Sequence, residues 1–245
     1  MRYGVFADIH SNIDAFEVVL NYFEKEKIHQ LICSGDIVGY GPNPNECIKR
    51  IRNLKNLVIV AGNHDKAVVG MKDTRWFNDF AARAILWTKR QLDCSNHGYL
   101  TKLHNTIDQS QFFVVHGSPR DPLDEYMLAP TQFQDAVTFY SSPVCFVGHT
   151  HVPNCFTYDS LKRIKIKSPM SKDTIKIEQD AQVMYNPGSV GQSRDGDPRA
   201  SCAVYDTSNK TIKLVRLEYD IKSVQSKMRK AQLPLYLIER LSTGR

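Results

Sequence analysis

Five short strand-like runs, all within the first 151 residues, lead into polar residues that can bind a metal or move a proton. The runs are Tyr3–Ala7, Gln30–Cys33, Leu57–Ala61, Phe112–Val115 and Val144–Val147. Short apolar runs followed by glycine, proline or other turn formers predict buried strands that end in irregular loops. In the clearest case, the second run leads to Asp36 and then to Gly39-Tyr40-Gly41. We therefore expect strands whose C-terminal tips carry the reactive side chains.

Helical segments separate the first three runs. Ser11 or Asn12 can cap the first helix, and Pro44 and Asn45 open the second. The order strand, helix, strand, helix, strand predicts a parallel sheet with right-handed crossovers. The apolar residues at helical spacing are Ile13, Phe16, Val19, Leu20 and Phe23 in the first helix and Cys47, Ile48 and Ile51 in the second.

The remaining segments predict further helices at residues 73–92 and 131–140, and two helices near residues 221–232 and 235–241 that close the chain. After residue 151, alternating polar and apolar residues predict antiparallel strands. No internal repeat or long linker interrupts the chain, so residues 1–245 are predicted to form a single domain. The expected antiparallel strands are Cys155–Tyr158, Leu161–Lys167, Thr174–Glu178, Val183–Asn186, Ser201–Asp206 and Thr211–Leu217. The residues expected to be ordinary core rather than a binding platform in helix 73–92 are Trp76, Phe77, Phe80, Ile85 and Trp87.

Composition and charge narrow the class of protein. With 42% hydrophobic and 24% charged residues, a 245-residue chain can bury a sizeable core without disulfides. A net charge of +6 fits an anionic substrate but is too small for a dedicated nucleic-acid binder. The basic segment Lys162–Lys167 lacks interleaved aromatic residues, so we interpret it as the solvated face of an edge strand. No apolar run approaches the ~20 residues that cross a bilayer.

The N-terminus and the cysteines favour a cytoplasmic protein. Met1 and Arg2 run directly into the first strand without a signal-peptide pattern. The cysteines are scattered without paired spacing, and we expect all of them to be reduced and structural. The six are Cys33, Cys47, Cys94, Cys145, Cys155 and Cys202.

The strand ends predict a metal site. Ligands of open α/β sheets bind outside the carboxyl ends of the strands. A mixed nitrogen and oxygen set suits Mn²⁺, Fe or Zn²⁺, and eight residues are too many for one ion, so two ions with a bridging carboxylate fit better. Each signal alone has an ordinary structural explanation, but five in the same context favour the metal site; His29, His97 and His104 lack that context. The eight residues are Asp8, His10, Asp36, Asn63, His64, His116, His149 and His151.

In this order and spacing, the motifs resemble those of the calcineurin-like metallophosphoesterase superfamily. Two later runs, at residues 186–191 and 195–201, are similar to those of its small single-domain bacterial and archaeal members. The resemblance implies an α/β sandwich of two mixed β-sheets flanked by helices, with the metal-site motifs in residues 8–151 and second-sheet strands and C-terminal helices in residues 152–245. The matching motifs are Asp8-Ile9-His10, Gly35-Asp36, Gly62-Asn63-His64-Asp65, His116-Gly117 and Gly148-His149-Thr150-His151.

The resemblance also implies a role for each motif residue. Two ions ~3.5–4 Å apart would lower the pKa of a shared water, and the bridging hydroxide would attack the phosphoester. His64 would contact the phosphoryl oxygens or protonate the leaving oxygen, a contribution of about 10²–10⁴ in rate, and Asn63 would also contact substrate. The implied metal ligands are Asp8, His10 and His151 for the first ion, Asn63, His116 and His149 for the second, and Asp36 for both.

One departure from the family pattern bears on the substrate. Ser/Thr protein phosphatases of this superfamily carry Asp-Arg-Gly where this chain has Gly39-Tyr40-Gly41. The acidic partner of His64 and a phosphate-binding arginine are therefore both missing, which argues against phosphoprotein substrates. The candidates to replace that arginine are Arg120, Arg194 and Arg199; alternatively, they pair with Asp121, Asp195 or Asp197 to hold loops.

Taken together, the sequence predicts a dinuclear metal-dependent phosphoesterase acting on a small phosphodiester or phosphomonoester, nucleotide-type compounds included. We expect no nucleic-acid or membrane partner, and the oligomeric state stays open. The alternatives are a non-catalytic interaction scaffold, a Ser/Thr protein phosphatase-like enzyme, a dinucleoside-polyphosphate hydrolase, or a nuclease of the same superfamily. A complete ligand set argues against the scaffold, and 245 residues leave little room for DNA-binding domains.

Overall fold

The computed structural model describes residues 1–161 and 163–245, and within them it contains twelve β-strands and eight α-helices. The predicted sandwich of two mixed sheets flanked by helices is confirmed. The strands are β1 Arg2–Phe6, β2 Gln30–Cys33, β3 Leu57–Ile59, β4 Thr106–Gln109, β5 Phe112–Val115, β6 Val144–Phe146, β7 Asn154–Tyr158, β8 Ile164–Lys167, β9 Thr174–Lys176, β10 Gln182–Asn186, β11 Ala200–Asp206 and β12 Thr211–Leu217. The helices are α1 Ile13–Lys25, α2 Pro44–Arg52, α3 Asn63–Val68, α4 Asp79–Gln91, α5 Cys94–Thr101, α6 Pro130–Ala136, α7 Ile221–Lys230 and α8 Leu235–Glu239.

Each sheet has six strands. The first has the order β3-β2-β1-β11-β12-β9, in which β1, β2 and β3 are parallel to one another and the other pairs are antiparallel. The second has the order β4-β5-β6-β10-β7-β8, and here β5, β6 and β10 are parallel. The five strands that lead to the reactive residues are therefore divided between two sheets. Their carboxyl ends meet along one side of the sandwich. The expectation that residues 152–245 supply the second-sheet strands is wrong in part, because β11 and β12 extend the first sheet, β11 by pairing with β1 and β12 by pairing with β11, and β4, β5 and β6 lie in the second.

The inner faces of the two sheets share an apolar core. Tyr3 and Val5 of β1 point into it, whereas Phe6 packs on the outer side with α1, as the alternation of side chains along a strand requires. Aromatic contacts cross between the sheets: the ring centroids of Tyr3 and Phe112 lie 5.4 Å apart, and those of Phe146 and Tyr205 lie 5.6 Å apart. This packing fixes the two sets of strand ends relative to each other.

Several predicted elements need correction. The helix predicted at residues 73–92 is broken into a 3₁₀ turn at Thr74–Trp76 and helix α4, because the Asn78 side chain caps α4 by accepting a hydrogen bond from Ala81 N at 3.0 Å. Helices α3 and α5 and strand β4 had no counterpart in the prediction. The basic segment predicted as an edge strand begins at Lys162, which lies outside the described residues; Ile164–Lys167 form β8 at the edge of the second sheet.

Two further sequence expectations concern the cysteines and the bilayer. All six cysteines are free; five are buried, and Cys94 at the start of α5 is exposed. Among residues 1–161 and 163–245, no helix is both long and apolar enough to cross a membrane.

Candidate metal centre and active site

The predicted site residues gather where the carboxyl ends of both sheets meet. Asp8 follows β1, Asp36 follows β2 and Asn63 follows β3, while His116 and His149 follow β5 and β6. His10 and His151 lie two residues beyond Asp8 and His149, and His64 stands in the first turn of α3. All eight side chains are buried, the most exposed being Asn63 at 6%. The topology thus brings together residues that are up to 143 positions apart, from Asp8 to His151.

Backbone strain is concentrated at these positions. Five of the seven predicted ligands have a positive φ, in the left-handed region that few residues other than glycine adopt. Such strain costs on the order of 1–3 kcal/mol per residue and persists only where surrounding contacts fix it. Here backbone hydrogen bonds do so: Asp8 N donates to Gly35 O at 3.0 Å, and His10 N donates to Asp36 O at 3.1 Å. The five residues are Asp8 (φ 57°), His10 (47°), Asp36 (55°), His149 (67°) and His151 (60°).

One group of potential metal ligands consists of Asp8, His10 and His151, the set that the family resemblance implies for the first ion. The Nε2 atoms of His10 and His151 are 3.0 Å apart, and Asp8 Oδ1 lies 3.4 Å from His151 Nε2 and 3.8 Å from His10 Nε2. Three donor atoms from two sheets therefore converge on one point.

A second ligand group contains Asp36, His116 and His149. Asn63 lies beside it, with its Oδ1 atom 3.2 Å from His116 Nε2. The two groups meet at Asp36, whose Oδ2 atom is 3.3 Å from His116 Nε2 and 3.5 Å from His10 Nε2. This single carboxylate oxygen faces both groups, which is the position that a bridging ligand requires.

The four histidines of these groups are oriented by the main chain. Each ring has one nitrogen within hydrogen-bond distance of a backbone carbonyl oxygen, to which its N–H donates. That contact turns the other ring nitrogen toward the centre and, in a neutral ring, fixes the tautomer, as in metal-binding histidines generally. The pairs are His10 Nδ1 with Val38 O (3.1 Å), His116 Nδ1 with Ser34 O (2.8 Å), His151 Nδ1 with Gln192 O (2.6 Å) and His149 Nε2 with Asp124 O (3.1 Å).

Burial keeps most of the histidines neutral. It lowers the pKa of His149 to about 3 and that of His64 to about 4, and it holds the pKa values of His10 and His151 well below their usual range. A neutral imidazole retains the lone pair that coordinates a metal, so these rings need not lose a proton to bind one. Burial also raises the pKa of Asp8 to about 7.

The charges of His116 and Asp36 attract each other, and this attraction shifts the pKa of both groups. Burial lowers the pKa of His116, but the neighbouring Asp36 carboxylate outweighs it and raises this pKa to about 9. Burial likewise raises the pKa of Asp36, but His116 and His64 outweigh it and hold this pKa below its usual range. Asp36 is thus the most strongly ionised carboxylate of the centre.

The donor set fits two transition-metal ions. Asp36 Oδ2 is buried and, within the described parts of the chain, accepts no aligned hydrogen bond, although histidine nitrogens surround it. A buried carboxylate oxygen without a hydrogen-bond partner destabilises a folded protein, because its lost hydration is not replaced. A cation beside it would remove that destabilisation. Imidazole nitrogens with carboxylate and amide oxygens are ligands that Zn²⁺, Fe and Mn²⁺ accept.

The comparisons with known proteins agree with this centre. The chain matches the Calcineurin-like phosphoesterase superfamily domain over residues 1–210. It is 38% identical over 246 aligned positions to an uncharacterized protein of Methanocaldococcus jannaschii, covering 99% of this chain and 98% of that one. The chain belongs to the calcineurin-like phosphoesterase superfamily.

Two solved structures resemble this protein over its full length. A metallophosphoesterase from Sphaerobacter thermophilus is 37% identical, with a TM-score of 0.90, and the match covers 100% of this chain and 99% of that one. A hypothetical protein from Pyrococcus horikoshii OT3 is 23% identical, with a TM-score of 0.79 and coverage of 100% and 98%. The second likeness shows a shared fold.

His64 differs from the four histidines of the two candidate ligand groups. Its backbone N–H donates to Asp36 Oδ1 at 2.9 Å, but its buried Nδ1 atom has no hydrogen-bond partner among the residues that the structure describes. His64 thus lacks the carbonyl contact that orients the ligand rings. Although its ring lies close enough to His10 and Asp36 to form a third potential donor group, this difference supports the prediction that His64 acts on substrate rather than on metal.

Asp65, the last residue of the Gly62–Asp65 motif, has a structural role that the sequence did not reveal. Its carboxylate is fully buried and accepts hydrogen bonds from Gly62 N at 3.0 Å and from Val38 N at 3.1 Å. The first bond caps α3, and the second ties the β2 loop to it. Asp65 therefore locks the segment that carries Asn63 and His64 against the segment that carries Asp36.

Tyr40 occupies the place where the protein phosphatase pattern has arginine, and sequence reasoning gave it no role. Its buried ring lies 4.5 Å from the rings of both His10 and His64. Its hydroxyl accepts a hydrogen bond from Arg194 Nη2 at 3.1 Å, and the guanidinium lies 5.7 Å from the ring centroid. The glycines on either side of Tyr40 mark this loop in the sequence, but the contacts of the tyrosine connect Arg194 to the centre.

The three candidate arginines have different surroundings. Arg194 contacts Tyr40 and Gln192, and in the described chain no carboxylate lies within ion-pair distance of it, so the predicted loop pairing is wrong for this residue. Arg199 does pair with Asp197, at 2.6 Å, as the alternative predicted.

Arg120 requires a correction. It contacts Glu125 through two nitrogens and pairs with Asp135 at 2.8 Å, and Asp121 is not its partner. Because two carboxylates already offset its charge, we assign Arg120 to holding its loop rather than to binding substrate.

A pocket of about 480 Å³ opens beside the centre, and it corrects the interpretation of residues 73–92. Trp76 and Phe80 were expected in the core, yet Trp76 is 82% exposed and Phe80 41% exposed. Ile85 is buried as predicted, and Phe77 and Trp87 are half-buried. The lining residues are Tyr40, Asn63, His64, Lys72, Trp76, Phe77, Asn78, Ala81, Asp124, Tyr126 and His149.

Proposed function

We propose that this protein is a metal-dependent phosphoesterase that hydrolyses a small phosphodiester or phosphomonoester. The observation that carries the proposal is the position of Asp36 Oδ2 between the two ligand groups, 3.5 Å from His10 Nε2 and 3.3 Å from His116 Nε2. Asp8, His10 and His151 would hold one ion, and Asn63, His116 and His149 the other, with Asp36 shared. Mn, Fe and Zn all suit this set of ligands.

When bound, two such ions supply a nucleophile at neutral pH by lowering the pKa of water, and they act as Lewis acids toward the phosphoryl group. The protein contributes the fixed geometry. The carbonyl contacts of the four ligand histidines and the backbone bonds of Asp8 and His10 hold the donors in place before any ligand arrives. Preorganisation of this kind avoids rearrangement during the reaction.

His64 would act on the substrate. It lines the pocket next to Asn63 and His149, so a phosphoryl group at the centre would lie within reach of its ring. The neutral ring that burial favours can donate one N–H hydrogen bond to a phosphoryl oxygen. A bound anion would also favour the protonated ring, which could then give its proton to the leaving oxygen.

Arg194 would supply a positive charge for the phosphate. Its Nε atom is buried and has no hydrogen-bond partner in the described part of the protein, and Tyr40 holds its Nη2 end. A guanidinium without a carboxylate partner is suited to a substrate oxyanion. Arg194 thus takes the role that the Asp-Arg-Gly arginine has in protein phosphatases.

The proposed substrate is a small molecule rather than a phosphoprotein. Gly39 stands where a protein phosphatase carries the aspartate that orients its catalytic histidine, and His64 Nδ1 correspondingly has no hydrogen-bond partner among residues 1–161 and 163–245. The complete ligand set supports an enzyme over a non-catalytic scaffold. Six free cysteines support a reducing, cytoplasmic location.

The test is an assay of metal-stripped protein reconstituted separately with Mn²⁺, Fe²⁺ or Zn²⁺, on p-nitrophenyl phosphate and bis(p-nitrophenyl) phosphate. We expect turnover of at least one ester that depends on added metal. Asp36→Asn should nearly abolish turnover and release metal, whereas Asp180→Asn, an exposed turn residue whose positive φ asparagine tolerates, should change neither. Wild-type turnover by Asp36→Asn would rule out the bridging role.

A further inference from the structure

The pocket beside the metal centre has aromatic residues from three separate segments. Trp76 and Phe77 come from the 3₁₀ turn before α4, Tyr40 from the loop after β2, and Tyr126 from the loop after β5. The Tyr126 ring stacks on the ring of His149, with centroids 4.0 Å apart and an interplanar angle of 20°. An aromatic wall therefore begins at one of the proposed ligands and continues outward.

Trp76 is the most exposed of these rings, with 82% of its surface accessible. An indole that stays exposed to water does not contribute the favourable free energy of burying a large apolar side chain. The turn that carries it is anchored to the site, because the ring of the adjacent Phe77 lies 5.0 Å from the ring of His64. Trp76 thus lines the pocket beside the reacting centre, with most of its side chain accessible.

The pocket also offers polar groups at its edge. The Asn78 Oδ1 atom is occupied by the cap of α4, which leaves the amide NH₂ as a donor. Lys72 Nζ and Asp124 Oδ2 form an ion pair at 2.6 Å on the lining. A ligand with a flat aromatic face and hydrogen-bonding edges would match these surroundings better than an aliphatic or a purely apolar group.

We propose that this pocket is a nucleobase subsite, in which the base of a nucleotide phosphoester stacks on Trp76 while its phosphate lies at the metal centre. The inference rests on the proposed function, because it places the scissile phosphate at that centre. Stacking of a base on an aromatic side chain is worth roughly a tenfold gain in affinity or more. Trp76 would accordingly determine which phosphoesters are preferred.

Binding of the base alone is tested with a nucleoside, which carries no phosphate and therefore requires no turnover. In a Trp87→Phe variant, Trp76 is the only tryptophan, since the chain has two. We expect adenosine to quench its fluorescence in a saturable manner, whereas ribose at equal concentration leaves it unchanged. The Trp76→Phe variant, which retains only Trp87, should show no adenosine response. Equal responses to adenosine and ribose, or no response to adenosine, would overturn the subsite.

Turnover provides the second test. The metal-reconstituted enzyme is assayed on two matched pairs of substrates. The monoester pair is AMP and ribose 5-phosphate, and the diester pair is thymidine 5′-(p-nitrophenyl phosphate) and methyl p-nitrophenyl phosphate. Trp76→Ala should lower kcat/KM about tenfold for the nucleoside member of the hydrolysed pair and leave the other member unchanged. Trp76→Phe should keep most of the preference, and Trp87→Phe all of it.

The outcomes separate the two proposals. An equal loss on both members of a pair would contradict the nucleobase subsite while leaving the phosphoesterase intact. Saturable adenosine quenching without metal-dependent turnover of any ester would support the subsite and contradict the proposed function.

Discussion

Gly39 lies directly against His64: a Cβ atom at Gly39 would stand 2.7 Å from His64 Nδ1 and 2.8 Å from His10 Nδ1. The φ angle of Gly39 is +121°, which L side chains rarely adopt. There is consequently no room for the aspartate that protein phosphatases place in this loop. The glycine permits Tyr40 to pack on both rings, and in the described part of the chain His64 Nδ1 has no hydrogen-bond partner.

Gly39→Ala should therefore impair both the fold and the site. We expect the free energy of unfolding to fall on the order of 1–3 kcal/mol from the backbone strain, and turnover to fall because two rings must move. Gly98→Ala is a matched control, since no atom of the described residues lies within 4 Å of a Cβ atom there and alanine favours helix α5. Urea unfolding and kcat report the two effects; an unchanged Gly39→Ala enzyme would contradict the close contact.

Tyr40→Phe removes the hydroxyl that accepts from Arg194 Nη2 at 3.1 Å while keeping the ring between His10 and His64. We expect KM for the phosphoester to rise roughly tenfold, because a guanidinium that has lost a charge-assisted hydrogen bond is less well held. Bound metal should stay unchanged. A KM equal to that of the wild type would show that Arg194 does not depend on Tyr40 or does not contact substrate.

His64→Ala should retain bound metal but lower kcat by about 10²–10⁴. If His64 protonates the leaving oxygen, the loss will be larger for alkyl than for p-nitrophenyl esters, because the poorer leaving group needs the proton more. If it only contacts phosphoryl oxygens, the loss will be equal for both. His104→Ala, an exposed histidine, is the control. Loss of metal from His64→Ala would instead place His64 among the ligands.

Ser189→Ala should loosen the first ligand group. The buried Ser189 hydroxyl donates to Asp8 O at 2.9 Å and accepts from Gln192 N at 2.8 Å, so it supports both the strained Asp8 and the residue whose carbonyl orients His151. We expect metal affinity to fall about 10- to 100-fold in a competitive chelator titration. The exposed Ser110→Ala provides the baseline, and equal affinities in the two variants would contradict this role.

Much of the fold could be predicted from the sequence because its first half consists of short buried strands and amphipathic helices. The predicted strands Gln30–Cys33 and Phe112–Val115 have the bounds that the structure gives. The division of the five strands between two sheets follows from pairing between distant strands, such as β1 with β11, which no local pattern encodes. The family resemblance implied two mixed sheets, but it placed the second-sheet strands in residues 152–245, whereas β5 and β6 also lie in the second sheet.

The residues of the metal centre were also predictable, since each follows a strand in a motif of known order. Their left-handed backbone was not, because Asp8 and His149 are not glycines and only the surrounding hydrogen bonds force that conformation. Tyr40 and Asp65 were missed because their contacts join separate loops.

Trp76 was misassigned to the core for a related reason. Aromatic residues at helical spacing usually face inward, and the helical pattern over residues 73–92 gave no sign of the break at Phe77 and Asn78. The break turns the indole into the pocket mouth, where it is exposed. A sequence pattern locates an amphipathic segment but not a change in its direction.

The most direct test of the two-metal centre is the metal content of the wild-type protein after reconstitution with Mn²⁺ and removal of free metal. We predict two ions per chain, because Asp36 Oδ2 faces two complete ligand groups. A folded protein that retains at most one ion per chain under these conditions would contradict the shared-carboxylate centre on which the proposed function depends.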